Sequence, residues 1–486
     1  MPYNHGARVN ENATLTATTV TGTAGLQVIF GTAPVNLAAD PTNATNRPFL
    51  CYSLQEAAEA VGYSSNYDPK EYTLCQAIEM AFQVVGVAPI ILVNVLDPAT
   101  HKTALASQTV TITDLQGTVN VFGILDDSTL TVKDGNDTLV KDTDYTTTFD
   151  DNGYLVINIL STSTHATATS LTVTGNKLDP TAVVATDIIG SYNTSTGVEK
   201  GLEVLRQVFP LLNLTPGLLL APYWSKNANV AAAMAAKCEG INGVFRCECI
   251  VDLDTTTGHA VKYTDVYTEK SASAMVDEHM LIAWPCVKIG SKVYHGSALY
   301  GALTQYTDAN NDDVPNLSPS NKAVAISGLC LEDGTEVILD ESRANIVNSY
   351  GVCTFNNFQG WRTWGNNTAA YPGSTDPKDR WFCCRRFFSW WGNSFILSYH
   401  QRVDNPLDPR QVESVVDDTN VFGNSLVAQG RCAGAVMEYR AEDNTINDIL
   451  NGKATFYTRL APFPPMEDML DVLEFDPSLL QAAFEG

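Results

Sequence analysis

Two runs near the end of the chain limit what it can fold into more than any other feature. Cys432 to Arg440 (CAGAVMEYR) and Lys453 to Phe463 (KATFYTRLAPF) alternate apolar and polar residues in their cores, the period-two pattern of a half-buried strand. Ala441 to Gly452 between them is too long for a tight hairpin. Pro462, Pro464 and Pro465 stop the second run, because proline has no N–H to give to a ladder. One further short apolar run follows, Met469 to Phe475 (MLDVLEF). A two-stranded sheet is marginal alone, and its open edges invite more strands. The expectation is that arms from other copies fill those edges.

At 486 residues the chain is long for a single core, so several domains are expected. Hydrophobic content of 44% is that of a globular protein, and no apolar run approaches the ~20 residues that span a bilayer. The N-terminus lacks the basic and apolar regions of a signal peptide, so a soluble protein made in a cytoplasm is expected. Eleven scattered cysteines fit neither a zinc ribbon nor a disulfide framework and read as buried thiols. The net charge of −25 argues against nucleic acid or an anionic membrane as partner. That charge is uneven: residues 343–459 hold 12 of the 29 Lys and Arg against 11 of the 54 Asp and Glu, leaving 17 against 43 elsewhere. A near-neutral C-terminal region thus faces a strongly acidic remainder.

The fold class expected is α/β and α+β multidomain. Residues 1–22 are polar and read as an N-terminal arm. Residues 23–97 and 186–338 alternate helices with buried-type strands and read as one discontinuous layered α/β domain. Ser53 to Glu56 is a capping box opening a short helix closed by Gly62, and single helices are expected over 71–85 and 198–209. Residues 98–185 are Thr-rich and alternating, with turn signals at Asp134-Gly135 and Asp151-Asn152-Gly153, and read as an inserted small β domain. Residues 339–465 read as an α+β domain with one long helix over 378–402, another over 408–429 and the two closing strands. Residues 466–486 form a C-terminal arm.

No phosphate loop, dinucleotide fingerprint, HExxH or GxSxG occurs, and no two histidines share metal-ligand spacing. No catalytic, cofactor or metal residue is assigned, and no cofactor is expected. Asp308 to Asp313 has the density of a calcium loop but lacks its closing Glu, so a solvated loop is preferred. Trp381, Phe382, Phe387, Phe388, Trp390 and Trp391 surround their helix on nearly every side, the pattern of a buried helix and not of a base-stacking platform. Arg380, Arg385 and Arg386 among them are expected to pair with carboxylates of the same or an adjacent subunit.

At this point the chain resembles a known family. Gly351-Val-Cys-Thr354, Trp361-Arg-Thr-Trp-Gly365, the helix with Arg385-Arg386, Gly434-Ala-Val436, Asn444-Thr-Ile-Asn-Asp448 and Ala461-Pro-Phe-Pro-Pro465 follow, in order, the pattern of contractile tail sheath proteins. Val28-Ile-Phe-Gly-Thr-Ala-Pro34 and Leu220-Ala-Pro222 resemble the start and middle of the same family. The family includes phage tail sheaths and the sheaths of phage-tail-like bacteriocins. The resemblance implies a structural subunit, not an enzyme, that stacks as six-membered rings around an inner tube and contracts from a metastable extended state. It implies as partners other copies, the inner tail tube protein, and baseplate and tail terminator proteins, with no direct nucleic acid and no stable membrane insertion. The place implied is a virion or phage-tail-like particle assembled in the bacterial cytoplasm.

Strand exchange between subunits is then expected to use Arg8, Val9 and Asn10 and Leu470, Val472, Leu473 and Phe475 as donors. The acceptors are Val436, Met437 and Glu438 with Phe456, Tyr457 and Thr458. Arg385, Arg386, Arg431 and Lys453 are candidate charges facing the tube or a neighbour. The alternatives are an α/β enzyme with an unrecognised site, or another self-assembling shell or surface protein.

Overall fold

The structure is a computed structural model and describes residues 24–485. Its largest sheet has six strands: β1 (Gln27–Gly31), β2 (Phe49–Cys51), β3 (Ile90–Asn94), β4 (Leu218–Leu220), β5 (Glu248–Asp252) and β6 (Met280–Ala283). Their order is β6-β5-β4-β1-β3-β2, all parallel except β2, which runs against β3. β1, β3, β4, β5 and β6 are buried at every position, which is why they read as continuous apolar runs with no alternation.

Helices cover both faces of this sheet, among them α1 (Leu54–Val61), α2 (Thr73–Glu79), α3 (Ala228–Cys238) and α4 (Gly296–Ala309). At α1 the Ser53 hydroxyl accepts the Glu56 N–H at 3.2 Å, while the Glu56 carboxylate reaches one residue further back and accepts the Tyr52 N–H at 2.8 Å. Gly62 ends the helix at φ +87°, and a Cβ there would lie 2.0 Å from the Pro34 oxygen. Two expected helices depart from regularity. Residues 71–85 divide into α2 and a π-helical turn over Met80–Val85, where both Gly86 and Val87 donate to the Ala81 oxygen. Residues 201–212 begin as a 3-10 helix and become α-helical only at Val208. Pro210 cannot donate to the Arg206 carbonyl, and the Asn242 side chain takes that acceptor at 3.1 Å.

Between β3 and β4 the Thr-rich stretch forms two sheets of its own. One orders Lys102–Thr111, Ser170–Leu178, Thr131–Asp134 and Asp137–Thr138; the other orders Gln116–Phe122, Tyr154–Ile159 and Tyr145–Phe149. Leu105, Val110, Val119, Val132, Leu155, Ile157 and Val173 bury a separate core.

The C-terminal part holds α5 (Phe382–Tyr399), α6 (Pro409–Ala428), β7 (Cys432–Tyr439), α7 (Ile446–Leu450), β8 (Phe456–Pro462) and α8 (Pro477–Glu485). The single helix expected over 378–402 is broken at Trp381. This residue is extended and bridges Asn367, while the Phe382 N–H donates to the Asn366 oxygen. Phe387, Trp390 and Trp391 of α5 meet Phe422 and Leu426 of α6 and Ala435 and Leu460 of the two strands. All eleven cysteines are buried and unpaired. Among the described residues no helix is long and apolar enough to cross a membrane.

Candidate assembly interface

β7 and β8 form a two-stranded antiparallel sheet with Met437 opposite Thr458, Glu438 opposite Tyr457 and Val436 opposite Arg459. The expected acceptor residues are therefore brought side by side. Arg440 lies 3.5 Å from the Tyr457 ring centre, and Arg459 pairs with Glu438. The buried Asn444 ties the two strands at the end where their connecting loop joins them: its amide donates to the Arg440 and Thr455 oxygens at 2.8 Å each and accepts the Thr455 N–H at 2.6 Å. Thr445 and Asp448 cap α7 reciprocally. The Asn444 to Asp448 motif is thus a strand tie followed by a helix cap.

The two outer edges of this sheet differ. On the β7 side, Asn420 of α6 accepts the Met437 N–H at 2.8 Å and donates to the Met437 oxygen at 3.0 Å. Gly423 lies against the same edge, where a Cβ would stand 2.4 Å from the Ala435 oxygen. α6 therefore closes β7. Because opposed residues in an antiparallel pair turn their N–H and C=O groups both inward or both outward, Thr458 opposite Met437 directs its own pair away from β7. Phe456 and Leu460 follow in the same phase, so β8 carries the open edge. This corrects the expectation that Val436, Met437 and Glu438 accept a strand: their outer edge is occupied by a helix of their own chain, and Met437 is buried.

Residues flanking the break before α5 hold the first described residue, Ala24, and Glu467 near the other end. Toward the C-terminus, Glu467 is held by Arg380 at 2.6 Å and by the Asn367 amide at 3.4 Å, with Arg380 stacked 4.0 Å from the Trp381 ring centre. Past that anchor the chain adds no described strand, and Leu470, Val472, Leu473 and Phe475 are all more than three-quarters exposed. Toward the N-terminus, Arg386 donates to the Ala24 oxygen at 2.8 Å and pairs with Asp308, both side chains being essentially fully buried. Asp313 accepts the backbone N–H groups of Ala24 and Gly25, and burial followed by the Asp308 charge pushes its carboxyl up to about 7. Arg8, Val9 and Asn10 lie outside the described residues.

These contacts reassign three of the four expected outward charges. Arg386 is spent on Asp308, Arg385 is buried beside Asp379, and Arg431 pairs with Asp312 and donates to the Asn311 oxygen. Each presents little charge outward, because the aromatic helix buries its arginines and acidic neighbours in the chain neutralise them. Lys453 alone of the four is well exposed, at 66%. The expected pairing of Arg380, Arg385 and Arg386 with carboxylates occurs within the chain, to Glu467, Asp379 and Asp308, while sequence reasoning missed Glu467, Asp308 and Asp313 as the acidic partners near the ends of the described chain. The density of aspartates over 308–313 is explained by these partners and not by a cation.

At the carboxyl ends of the parallel strands, where α/β enzymes bind ligands, the polar groups are tied to one another. Asp252 accepts from Ser297 N–H at 2.8 Å, Ser297 hydroxyl at 2.7 Å, Ser225 hydroxyl at 3.1 Å and Tyr223 N–H at 3.3 Å, which consumes its lone pairs. Lys226 pairs with Glu332 in the same region. These are structural ties between strand ends and the start of α4.

No family profile matches the chain. It is 25% identical over 478 residues to the tail sheath protein of Burkholderia phage BcepMu, covering 96% of this chain and 95% of that one. Among solved structures it is similar to the contracted PVC sheath complex of an extracellular contractile injection system, with a TM-score of 0.59, 14% identity and 99% of each chain covered. It is also similar to a chain of the anti-feeding prophage baseplate, with a TM-score of 0.57, 15% identity, and coverage of 98% of this chain and 100% of that one. The mixed α/β architecture with several sheets is the fold of those chains. The resemblance expected from the ordered motifs is borne out along nearly the whole sequence.

Proposed function

We propose, from the premise that this chain is a structural protein of the contractile tail sheath kind and not an enzyme, that its copies stack as six-membered rings around an inner tube and contract to drive that tube through a cell envelope. One observation carries the reading: an exposed apolar run, Met469 to Phe475, hangs beyond an anchored root on a molecule whose β8 edge stands open. An exposed edge whose proline, Pro462, stands only at its far end is a pairing site over the rest of its length, and a strand from another copy satisfies it by main-chain hydrogen bonds. At ~3.3 Å per residue, the ten residues from Glu467 to Asp476 reach ~33 Å, enough to cross to a neighbour.

Each backbone hydrogen bond contributes only ~1 kcal/mol net, so the arms work as hinged tethers that persist while the bodies repack. The N-terminal segment through Arg8, Val9 and Asn10 is a second donor. The units are an arm over 1–22, an α/β domain over 23–97 and 186–338, an outward β insertion over 98–185, an inner domain over 339–465 and an arm over 466–486. The near-neutral inner domain faces the tube, with Lys453 its most accessible cation of those considered. Baseplate and terminator proteins close the two ends of the cylinder, and the particle assembles in the bacterial cytoplasm.

Electron microscopy of the purified protein tests this, with hollow helical cylinders expected. A chain lacking residues 466–486 is expected to keep its helical circular dichroism and lose the cylinders. Normal cylinders from the truncated chain refute the exchange of arms.

A further inference from the structure

The last described element, α8, has a function that strand exchange alone does not require. Its residues Leu479, Leu480 and Phe484 are 72%, 53% and 85% exposed, and Leu480 and Phe484 stand four apart on one face. The helix is well built to be a separate unit: Pro477 opens it and the Asp476 carboxylate accepts the Ser478 N–H at 2.8 Å. An apolar face on a properly capped helix is costly in water unless something covers it.

The same chain offers a matching groove. A cleft of about 580 Å³ lies between the end of α5, the start of α6 and the start of β8, walled by Phe395, Ile396, Tyr399, Leu407, Val412 and Phe456. Phe456 is also the first residue of the open-edged strand, and its ring lies 6.2 Å from that of Phe395. The groove therefore begins where that edge begins.

Strand direction links the two. An arm strand laid antiparallel along β8 runs from beside Pro462 to beside Phe456, and the seven residues of Met469 to Phe475 match the seven of β8. Pro477 follows two residues later, so α8 is delivered to the mouth of the groove. A parallel strand would deliver α8 to the other end, where Pro464, Pro465 and the Arg380–Glu467 anchor already stand. Charge does not oppose this: residues 466–476 carry five carboxylates and no cation, the groove lining holds Arg402, paired with Asp418, and Asp404, and the exposed Lys453 lies between its lining residues Gly452 and Ala454.

We propose that α8 of one copy docks its Leu480–Phe484 face into the α5–α6–β8 groove of a second copy, as a helix-in-groove latch at the end of the exchanged strand. The inference rests on the arm-exchange reading and adds an apolar latch that strand pairing does not supply.

Two experiments on the full chain test it. Leu480→Asp with Phe484→Asp is expected to raise the concentration needed for assembly at least tenfold, since two large side chains lose their burial. The positions are exposed in the single chain, so folding is unaffected. For the second, a Leu407→Cys chain is mixed with a Phe484→Cys chain and oxidised; the native cysteines are buried. Disulfide-linked dimers containing one of each support the latch. Their absence in assembled material overturns it, as does cross-linking only within a single chain carrying both changes. If the 466–486 deletion blocks assembly while both latch tests are negative, strand exchange stands and the latch alone falls. If the deletion assembles normally, the parent reading falls first.

Discussion

Replacing Arg386 with Met tests whether the root of the N-terminal arm is held by a buried charge. The guanidinium is 1% exposed and has two partners, the Asp308 carboxylate and the Ala24 oxygen. Methionine fills similar volume but leaves Asp308, which is fully buried, with an unpaired charge. Removing one partner of a buried ion pair costs ~3–5 kcal/mol, and the lost donor to Ala24 adds ~1 kcal/mol. Burial already pushes Asp308 up, with Arg386 as the main opposing influence, so in the variant the carboxyl escapes its penalty by protonating. Its folded pKa then lies above its unfolded one, so the folded form binds the extra proton and the loss is full at high pH and shrinks as pH falls. Hydrogen exchange of peptides over residues 24–31 and 382–391 measures this locally, which matters because a chain with several cores has no single unfolding free energy. At pH 8 protection is expected to fall about a thousandfold or more, and markedly less at pH 5.5. Asp308→Leu combined with Arg386→Met is expected to recover most of the loss, because no charge is left buried. A change under tenfold at pH 8, or one equal at both pH values, refutes the buried-charge account.

Gly423→Ala places a Cβ 2.4 Å from the Ala435 oxygen and is expected to push α6 off β7 at a cost of ~1–3 kcal/mol, seen as faster exchange of the Met437 amide. Asn444→Ala removes three hydrogen bonds that tie the two strands and is expected to cost ~2–3 kcal/mol, read from the exchange of Thr455 and its neighbours. Asp313, raised to about 7, binds a proton in the folded state that the unfolded chain releases near pH 4, so docking of Ala24 and Gly25 weakens as pH rises from about 4 to 7. Asp313→Asn is expected to flatten that dependence, which spans ~1–3 kcal/mol in the native chain; an unchanged pH profile for exchange over 24–31 counts against it.

Periodicity made much of this architecture legible. Continuous apolar runs marked the buried strands, alternation marked β7 and β8, and glycine and asparagine turns marked the inserted sheets, because each pattern reports which faces are covered. The interruption at Trp381 was invisible because it depends on a distant partner, Asn367, whereas that within 201–212 had a visible signal in Pro210, with Asn242 supplying the distant donor. The aromatic crowding of α5 signalled burial, and the same signal was available for its arginines: a cation inside an apolar helix needs a carboxylate partner, and the acidic loop over 308–313 was the nearest unexplained supply. That only one edge of the β7–β8 sheet is open follows from Asn420 and Gly423, whose roles lie in the packing of α6 and leave no pattern along the sequence.

One open edge has a consequence for the form of the assembly. Had both edges been free, the β7 edge of one hairpin could pair with the β8 edge of the next, a heterologous contact that propagates without any arm. With β7 sealed, two copies meeting through β8 alone would stop at a dimer, so growth through this sheet requires a different surface on the donor; under the proposed exchange that surface is the C-terminal run beyond Glu467. Donor and acceptor are then distinct sites on every copy, which makes the contact heterologous, and heterologous contacts propagate until a rotation closes a ring or a translation carries them into a helix. The anchors sharpen this. Arg380 and Arg386 stand six residues apart, one on each side of Trp381, and fix where the two chain ends leave the body. A strand carried away by a neighbour therefore pulls on the start of α5, the helix whose aromatic face forms the core beneath the accepting sheet. Under the proposed exchange, giving and receiving strands would be mechanically joined through one helix, so a shift of the neighbour holding the arm would be felt at the edge holding the next arm.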